Sequence, residues 1–161
     1  MPRSSIASSR SKQKLEALYC AYNRRCYVHP DPLVFLYGFH DPLDVEVVGF
    51  IASSLAYGNV KQILTSVSLV LTRIGPCPSA FLLNSPFRRI AEVFSDFKHR
   101  FTTGEDLARL LWGVRLVIEK HGSLQKCFMS RLDHNDCDVI PALSAFVENL
   151  FPEGCDFLIP S

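Results

Sequence analysis

No Cys-x-x-Cys pair occurs among the six cysteines of this 161-residue chain, Cys20, Cys26, Cys77, Cys127, Cys137 and Cys155. Knuckle-type zinc sites and the common redox dithiol therefore have no sequence basis. A disulfide framework is equally unsupported. The chain is long and apolar enough to bury a core without bridges, and no apolar stretch of signal-peptide type follows its Ser- and Arg-rich start. Reduced, buried thiols are expected instead. No apolar run approaches the roughly 20 residues that a membrane helix needs, so no membrane contact is expected and the location expected is cytoplasmic. Also missing are the G-x-S-x-G elbow of serine hydrolases and the G-x-x-x-x-G-K of phosphate loops. Net charge is nearly absent too: 17 Lys and Arg face 16 Asp and Glu, for a formal +1. Only a local patch, not the global charge, could mark a nucleic-acid binder.

What the chain does have is helical periodicity. Leu15, Leu18, Tyr19 and Tyr22 fall at i, i+3, i+4, i+7. So do Val60, Ile63, Leu64, Val67, Val70, Leu71 and Ile74, then Leu107, Leu110, Leu111, Val114, Val117 and Ile118, and finally Val139, Ile140, Leu143, Phe146, Val147 and Leu150. Each set places an apolar stripe on a helix, and each stripe is expected to be buried against another helix.

The punctuation fits that pattern. Asp31-Pro32-Leu33 and Asp41-Pro42-Leu43 each offer an N-cap acid and a proline at the first helical position, and Ser85-Pro86 is read the same way. Thr103 with Asp106 three residues on resembles a capping box. Gly58, Gly75 and Gly122 are expected helix stops. The segment Val45–Ala52 is rich in β-branched residues and could be a strand. It is assigned to a helix because it follows Asp-Pro, because Leu43, Val47, Ile51 and Leu55 sit four apart, and because no second strand is available to pair with it. Gly49 then becomes a point of close approach between helices. The expected architecture is all-α, a compact bundle of about seven or eight helices. Residues 1–12 are read as a frayed tail and 13–161 as a single domain, with no internal repeat beyond the twice-used Asp-Pro-Leu start.

Two segments are candidates for chemistry. Ile51 to Gln62 ends one helix, turns at Gly58 and starts the next, gathering Ser53, Ser54, Tyr57, Asn59, Lys61 and Gln62 around a corner. Helix N-termini and short polar side chains are ordinary donors to a nucleic-acid backbone. The same residues also suit a plain helix–helix corner, with serines for close packing and Asn59 as N-cap. The second candidate is Arg88-Arg89 with Lys98, His99 and Arg100, interleaved with Phe87, Phe94, Phe97 and Phe101. Basic residues among aromatics can bind phosphate and stack bases, but phenylalanines at helical spacing also serve as core, with the cations reaching to solvent. His121, Cys127, His134, Asp136 and Cys137 match no metal-ligand spacing, and Asp133 to Asp136 reads as a polar loop. No metal, no cofactor and no complete catalytic site are expected.

Several strings carry a resemblance: Tyr22-Asn23-Arg24-Arg25, Val28-His29-Pro30-Asp31-Pro32-Leu33, Ile51 to Gln62, and Phe97-Lys98-His99-Arg100-Phe101-Thr102-Thr103-Gly104-Glu105-Asp106-Leu107. From about Leu15 to Ser161 the chain resembles a bacterial conserved-hypothetical family, the domain of unknown function 2400 family. That family is remotely similar to helix-hairpin-helix DNA glycosylases. The resemblance implies a first helical lobe that lines a DNA groove with the corner Ser53 to Gln62. It also implies that the hairpin and acidic motif of longer members fall beyond this chain, so that it is an N-terminal part without catalytic residues. DNA is the partner implied. The alternative is a non-enzymatic interaction module, in which the apolar tail Phe157-Leu158-Ile159 meets a missing half or a partner chain.

Overall fold

The computed structural model describes residues 4–133 and 137–152, with side chains from residue 11 onward. Among them run eight α-helices: α1 (Ser4–Tyr22), α2 (Pro42–Ser54), α3 (Val60–Ile74), α4 (Pro78–Asn84), α5 (Phe87–Val93), α6 (Gly104–His121), α7 (Leu124–Met129) and α8 (Ile140–Leu150). Two 3-10 turns, Arg25–Tyr27 and Pro32–Gly38, lie between α1 and α2. The molecule is the all-α bundle that the periodicity predicts. One exception breaks the all-helical expectation. Between α5 and α6 sits a miniature antiparallel hairpin, β1 (Lys98–His99) and β2 (Thr102–Thr103), in the register Lys98↔Thr103 and His99↔Thr102.

The central helix is α6, which packs against α4, α5, α7 and α8 and receives β2 at its start. Its stripe, Leu107, Leu111, Val114, Val117 and Ile118, is buried, and each such side chain contributes about 1.5–3 kcal/mol by leaving water. Thr103 and Asp106 close the capping box as the sequence suggests. The Asp106 N–H donates to Thr103 Oγ1 at 3.2 Å and the Thr103 N–H donates to Asp106 Oδ2 at 2.9 Å. Gly122, at φ 84°, ends the helix in the left-handed conformation. Midway along, Gly113 lets α8 approach to backbone contact: a Cβ there would collide with the Leu150 carbonyl oxygen.

The ambiguous run Val45–Ala52 lies within α2. Asp41 accepts from the N–H groups of Leu43 and Asp44 at 2.9 and 3.2 Å and starts it, with Pro42 in the first turn. The reason for its strand-like composition is burial on several sides, since it packs against the 3-10 turn Pro32–Gly38, α3, α4 and α7. A helix covered all round loses its amphipathic signature. Gly49 sits in that packing, with an added Cβ 3.5 Å from Leu36 Cδ2. Two acids of α2 also cap other helices: Asp44 accepts from the Ser79 N–H at 2.7 Å, and Glu46 from the Leu124 N–H at 2.8 Å. The short helices α4 and α7 are thereby tied to α2 at their positive ends.

Several expectations need correcting. The stripe of α1 is not covered by another helix: Leu15, Leu18, Tyr19 and Tyr22 are all exposed. On α8, Ala142 and Leu150 are buried and Phe146 is half-buried, while Ile140, Leu143 and Val147, and Val139 just before the helix, are exposed. Helix α1 also begins at Ser4, inside the segment read as a tail. Ser85 caps nothing with its side chain; α5 starts at Phe87 with Pro86 at the N-cap position. Among the described residues the thiols are free, but only Cys127 is buried, while Cys20, Cys26, Cys77 and Cys137 are exposed. Burial pushes the Cys127 thiol pKa up. Cys155, the loop residues His134 to Asp136 and the apolar tail Phe157–Ile159 lie outside the described residues. No single helix among the described residues is long and apolar enough to cross a membrane.

Candidate nucleic-acid interface

The corner and the basic cluster, separate in sequence, meet in space. Helix α2 ends at Ser54, the chain turns at Gly58, and Asn59 starts α3 by accepting from the Lys61 N–H at 2.9 Å. The hairpin folds onto this corner through two residues. The Tyr57 hydroxyl lies 2.9 Å from the His99 carbonyl and 2.5 Å from Thr102 Oγ1. A carbonyl can only accept, so Tyr57 donates to His99 and accepts from Thr102. His99 returns the contact. It is 2 % exposed, with Nε2 at 3.2 Å from the Tyr57 carbonyl and Nδ1 at 2.9 Å from Ser66 Oγ. The Tyr57 carbonyl can only accept, so His99 Nε2 is the donor in that contact. The Tyr57 and His99 rings meet edge to face at 4.8 Å.

With His99 turned inward, its neighbours Lys98 and Arg100 are exposed. Together with Lys61, Gln62, Thr65, Ser66 and His99 they line a groove of about 350 Å³ beside the N-terminal half of α3. Arg100 holds φ 53°, a left-handed conformation that costs a non-glycine residue roughly 1–2 kcal/mol. Gly58, itself at φ 101°, makes room for it, since a Cβ there would lie 2.6 Å from Arg100 Cδ.

The described lining of the groove holds three cations and no acid. Lys61, Lys98 and Arg100 have no carboxylate partner among the described residues. The acids nearest in sequence are engaged elsewhere. Asp96 takes Arg73 in a two-pronged pair at 2.6 and 2.9 Å, Glu105 pairs with Arg109, and Asp106 belongs to the capping box. The Arg73 guanidinium, chiefly through its hydrogen bonds, holds the Asp96 carboxyl below its usual range, and Thr103 does the same for Asp106.

Of the nine candidate residues, the structure brings Tyr57, Asn59, Lys61, Gln62, Lys98, His99 and Arg100 into one neighbourhood. Ser53 and Ser54 stay out of it. Ser53 Oγ donates back to the Phe50 carbonyl at 3.0 Å and lines a separate hollow with Gly49 and Leu36. Ser54 lines neither. In the second basic cluster, Arg88 pairs with Glu92 on α5, away from the groove. The phenylalanines divide: Phe94 and Phe97 are core, and Phe101 is exposed. Thr65 and Ser66 join the groove without having been candidates. Their signal is the spacing from Lys61 and Gln62, four residues in each case, which puts all four on one polar face of α3.

Residues 31–161 match the model of a family described as a protein of unknown function, DUF2400. The chain belongs to the DUF2400 family. No curated protein and no solved structure matches it. The groove of this DUF2400 member lies wholly within the matched region. Helix α1 lies outside it, as does the string Tyr22 to Arg25, so the match is shorter at its start than the resemblance from Leu15 suggests.

Proposed function

We propose that the groove at the hairpin binds the sugar-phosphate backbone of DNA. On this reading the chain acts as the DNA-binding helical lobe of a DNA-glycosylase-like, base-excision-repair-like protein working in the cytoplasm. The observation that carries the reading is the convergence of Lys61, Lys98 and Arg100 on one groove with no acid among the described residues to neutralise them. Unpaired cations of this kind gain affinity for phosphates by releasing counterions from DNA. The first turn of α3 adds backbone N–H groups and the positive end of its dipole. His99, Tyr57 and Ser66 are positioning residues that hold Lys98 and Arg100 on a fixed hairpin beside Lys61. The glycosylase-like part of the proposal rests on the resemblance of the family strings.

A titration of duplex DNA at several salt concentrations tests the groove. The wild-type chain should bind with a log–log salt slope. The triple variant Lys61→Ala, Lys98→Ala, Arg100→Ala should lower that slope by about 2–3, roughly 0.9 for each phosphate that no longer meets a cation. Arg88→Ala with Arg109→Ala, which removes paired cations, should change affinity by less than about twofold on the same scale. Binding that is insensitive to salt, or abolished equally in both variants, contradicts the reading.

A second reading, a non-enzymatic protein–protein interaction module, is favoured by one feature. Large apolar side chains stand in water on both terminal helices, among them Leu15 at 66 % and Ile140 at 62 % exposure. Light scattering after size exclusion separates it from the first: self-association abolished by Leu15→Ser or Ile140→Ser supports this module, and a monomer at all concentrations opposes self-association through those faces.

A further inference from the structure

Phe101 is the most exposed large apolar side chain among the described residues, at 84 %. It stands at the tip of the hairpin between β1 and β2, next to Arg100, whose guanidinium carbon lies 5.7 Å from its ring centroid. The phenylalanines before it in the same stretch, Phe94 and Phe97, are buried. A ring in water costs stability, and the hairpin fixes it there. His99 inside the protein and the left-handed Arg100 set the direction of the turn. Such a local conflict between burial and backbone comfort is a reason to look for function.

We propose that Phe101 is a stacking platform for an unpaired nucleobase, so that the preferred ligand is DNA with an unstacked base, single-stranded or gapped, rather than continuous duplex. This inference rests on the phosphate-binding reading of the groove. Lys98, Arg100 and Lys61 hold the strand by its phosphates, and the ring beside them meets the face of a base that has no stacking neighbour. Every base offers such a face, so the contact selects for unpaired geometry and not for sequence. In continuous duplex the base faces are already occupied by their neighbours, and Phe101 finds no partner.

The test uses the full chain with three labelled DNAs of one sequence: a single strand, a duplex, and the duplex with one unpaired base. Anisotropy should show wild type preferring the single strand and the unpaired-base duplex over the plain duplex. Phe101→Ala should weaken those two by roughly five- to a hundredfold, as expected when one base loses its stacking partner, and leave plain-duplex affinity within about twofold. F101W should keep the preference, with its added fluorescence quenched by single strand. Because the ring is exposed, both variants should fold as wild type does, which a thermal melt checks. Equal binding of all three DNAs by wild type, or an unchanged preference in Phe101→Ala, overturns the stacking role while leaving the phosphate reading intact. No salt-dependent binding to any DNA overturns both. Loss of binding to anionic lipid vesicles by Phe101→Ala, with DNA binding unaltered, would reassign the ring to a membrane surface.

Discussion

Arg73, Arg88, Arg109 and Arg115 each lie against a carboxylate, whereas Lys61, Lys98 and Arg100 lie against none among the described residues. Three of the four pairs are i, i+4 neighbours on α5 or α6, so the neutralising acid is supplied by the same helix. Helix α3 has no such acid to offer: residues 47–91 contain no Asp or Glu at all. A formal charge of +1 thus hides a local contrast, between the paired cations of α5 and α6 and a groove whose described lining holds cations and no acid. For a protein with little net charge, the useful quantity is where the acids run out. Two of the groove cations, Lys98 and Arg100, sit where they do because the hairpin is anchored by a buried histidine, and that anchor is the first place to break the difference.

Replacing His99 should have the largest effect. The ring is buried, and His99→Ala leaves both Ser66 Oγ and the Tyr57 carbonyl without their partner, besides opening a cavity. Each hydrogen bond lost at these half-buried groups costs about 0.5–1.5 kcal/mol, and the cavity adds to it, so a destabilisation of about 2–3 kcal/mol is expected from chemical denaturation. DNA affinity should fall with it, although no cation is removed. If the folded His99→Ala protein keeps wild-type DNA binding, the hairpin anchor does not position the cations.

Arg100→Gly sharpens the distinction by separating charge from backbone comfort. Glycine accepts φ 53° freely, so relief of the left-handed cost should raise stability, offset in part by the extra freedom glycine gains in the unfolded chain, for a net of about 0.5–1 kcal/mol. The same change removes one of three groove cations and should weaken DNA binding. Gains in stability with loss of binding identify Arg100 as a residue kept for its charge; a protein that is both less stable and unaltered in binding would show that Arg100 serves the fold.

The fold is legible in the sequence because the middle helices carry clean stripes with caps at both ends. Those of α3 and α6 are buried much as the periodicity predicts, except that Val60 is exposed and Leu64 and Leu110 are half-buried. The stripes of α1 and α8 are as regular in sequence, yet most of their residues are exposed. Period 3.6 reports that an apolar face exists and is silent about what covers it. The hairpin is not legible. Phe97, Phe101 and the cations between them satisfy a helical reading, and only the buried side of His99 shows that the segment alternates in and out as a strand does. The groove is half legible. Lys61 and Gln62 stand in one candidate segment, Lys98 and Arg100 in another, and it takes the long-range contacts of Tyr57 and His99 to join them. Ser53 and Ser54 fall outside it because a helical end presents different residues to different sides, and one-residue steps turn by about 100°.

Acid should blur the two surfaces, with the smallest effect and a definite sign. Asp96 and Asp106 have folded pKa values below the ordinary carboxylate range, lowered chiefly by hydrogen bonds from Arg73 and from Thr103. A depressed carboxylate stabilises the fold above its unfolded pKa, and that contribution disappears as pH falls through the lower folded value. The loss therefore lies below about pH 4. Both groups face solvent, so screening keeps the effect modest. Denaturation midpoints of wild type and Asp96→Asn should differ at neutral pH and converge as pH drops through that window, while Lys61→Ala, with no acid partner to lose, should run parallel to wild type throughout. A gap for Asp96→Asn that persists unchanged to pH about 2 would mean that the Arg73 pair is not the source of the shift.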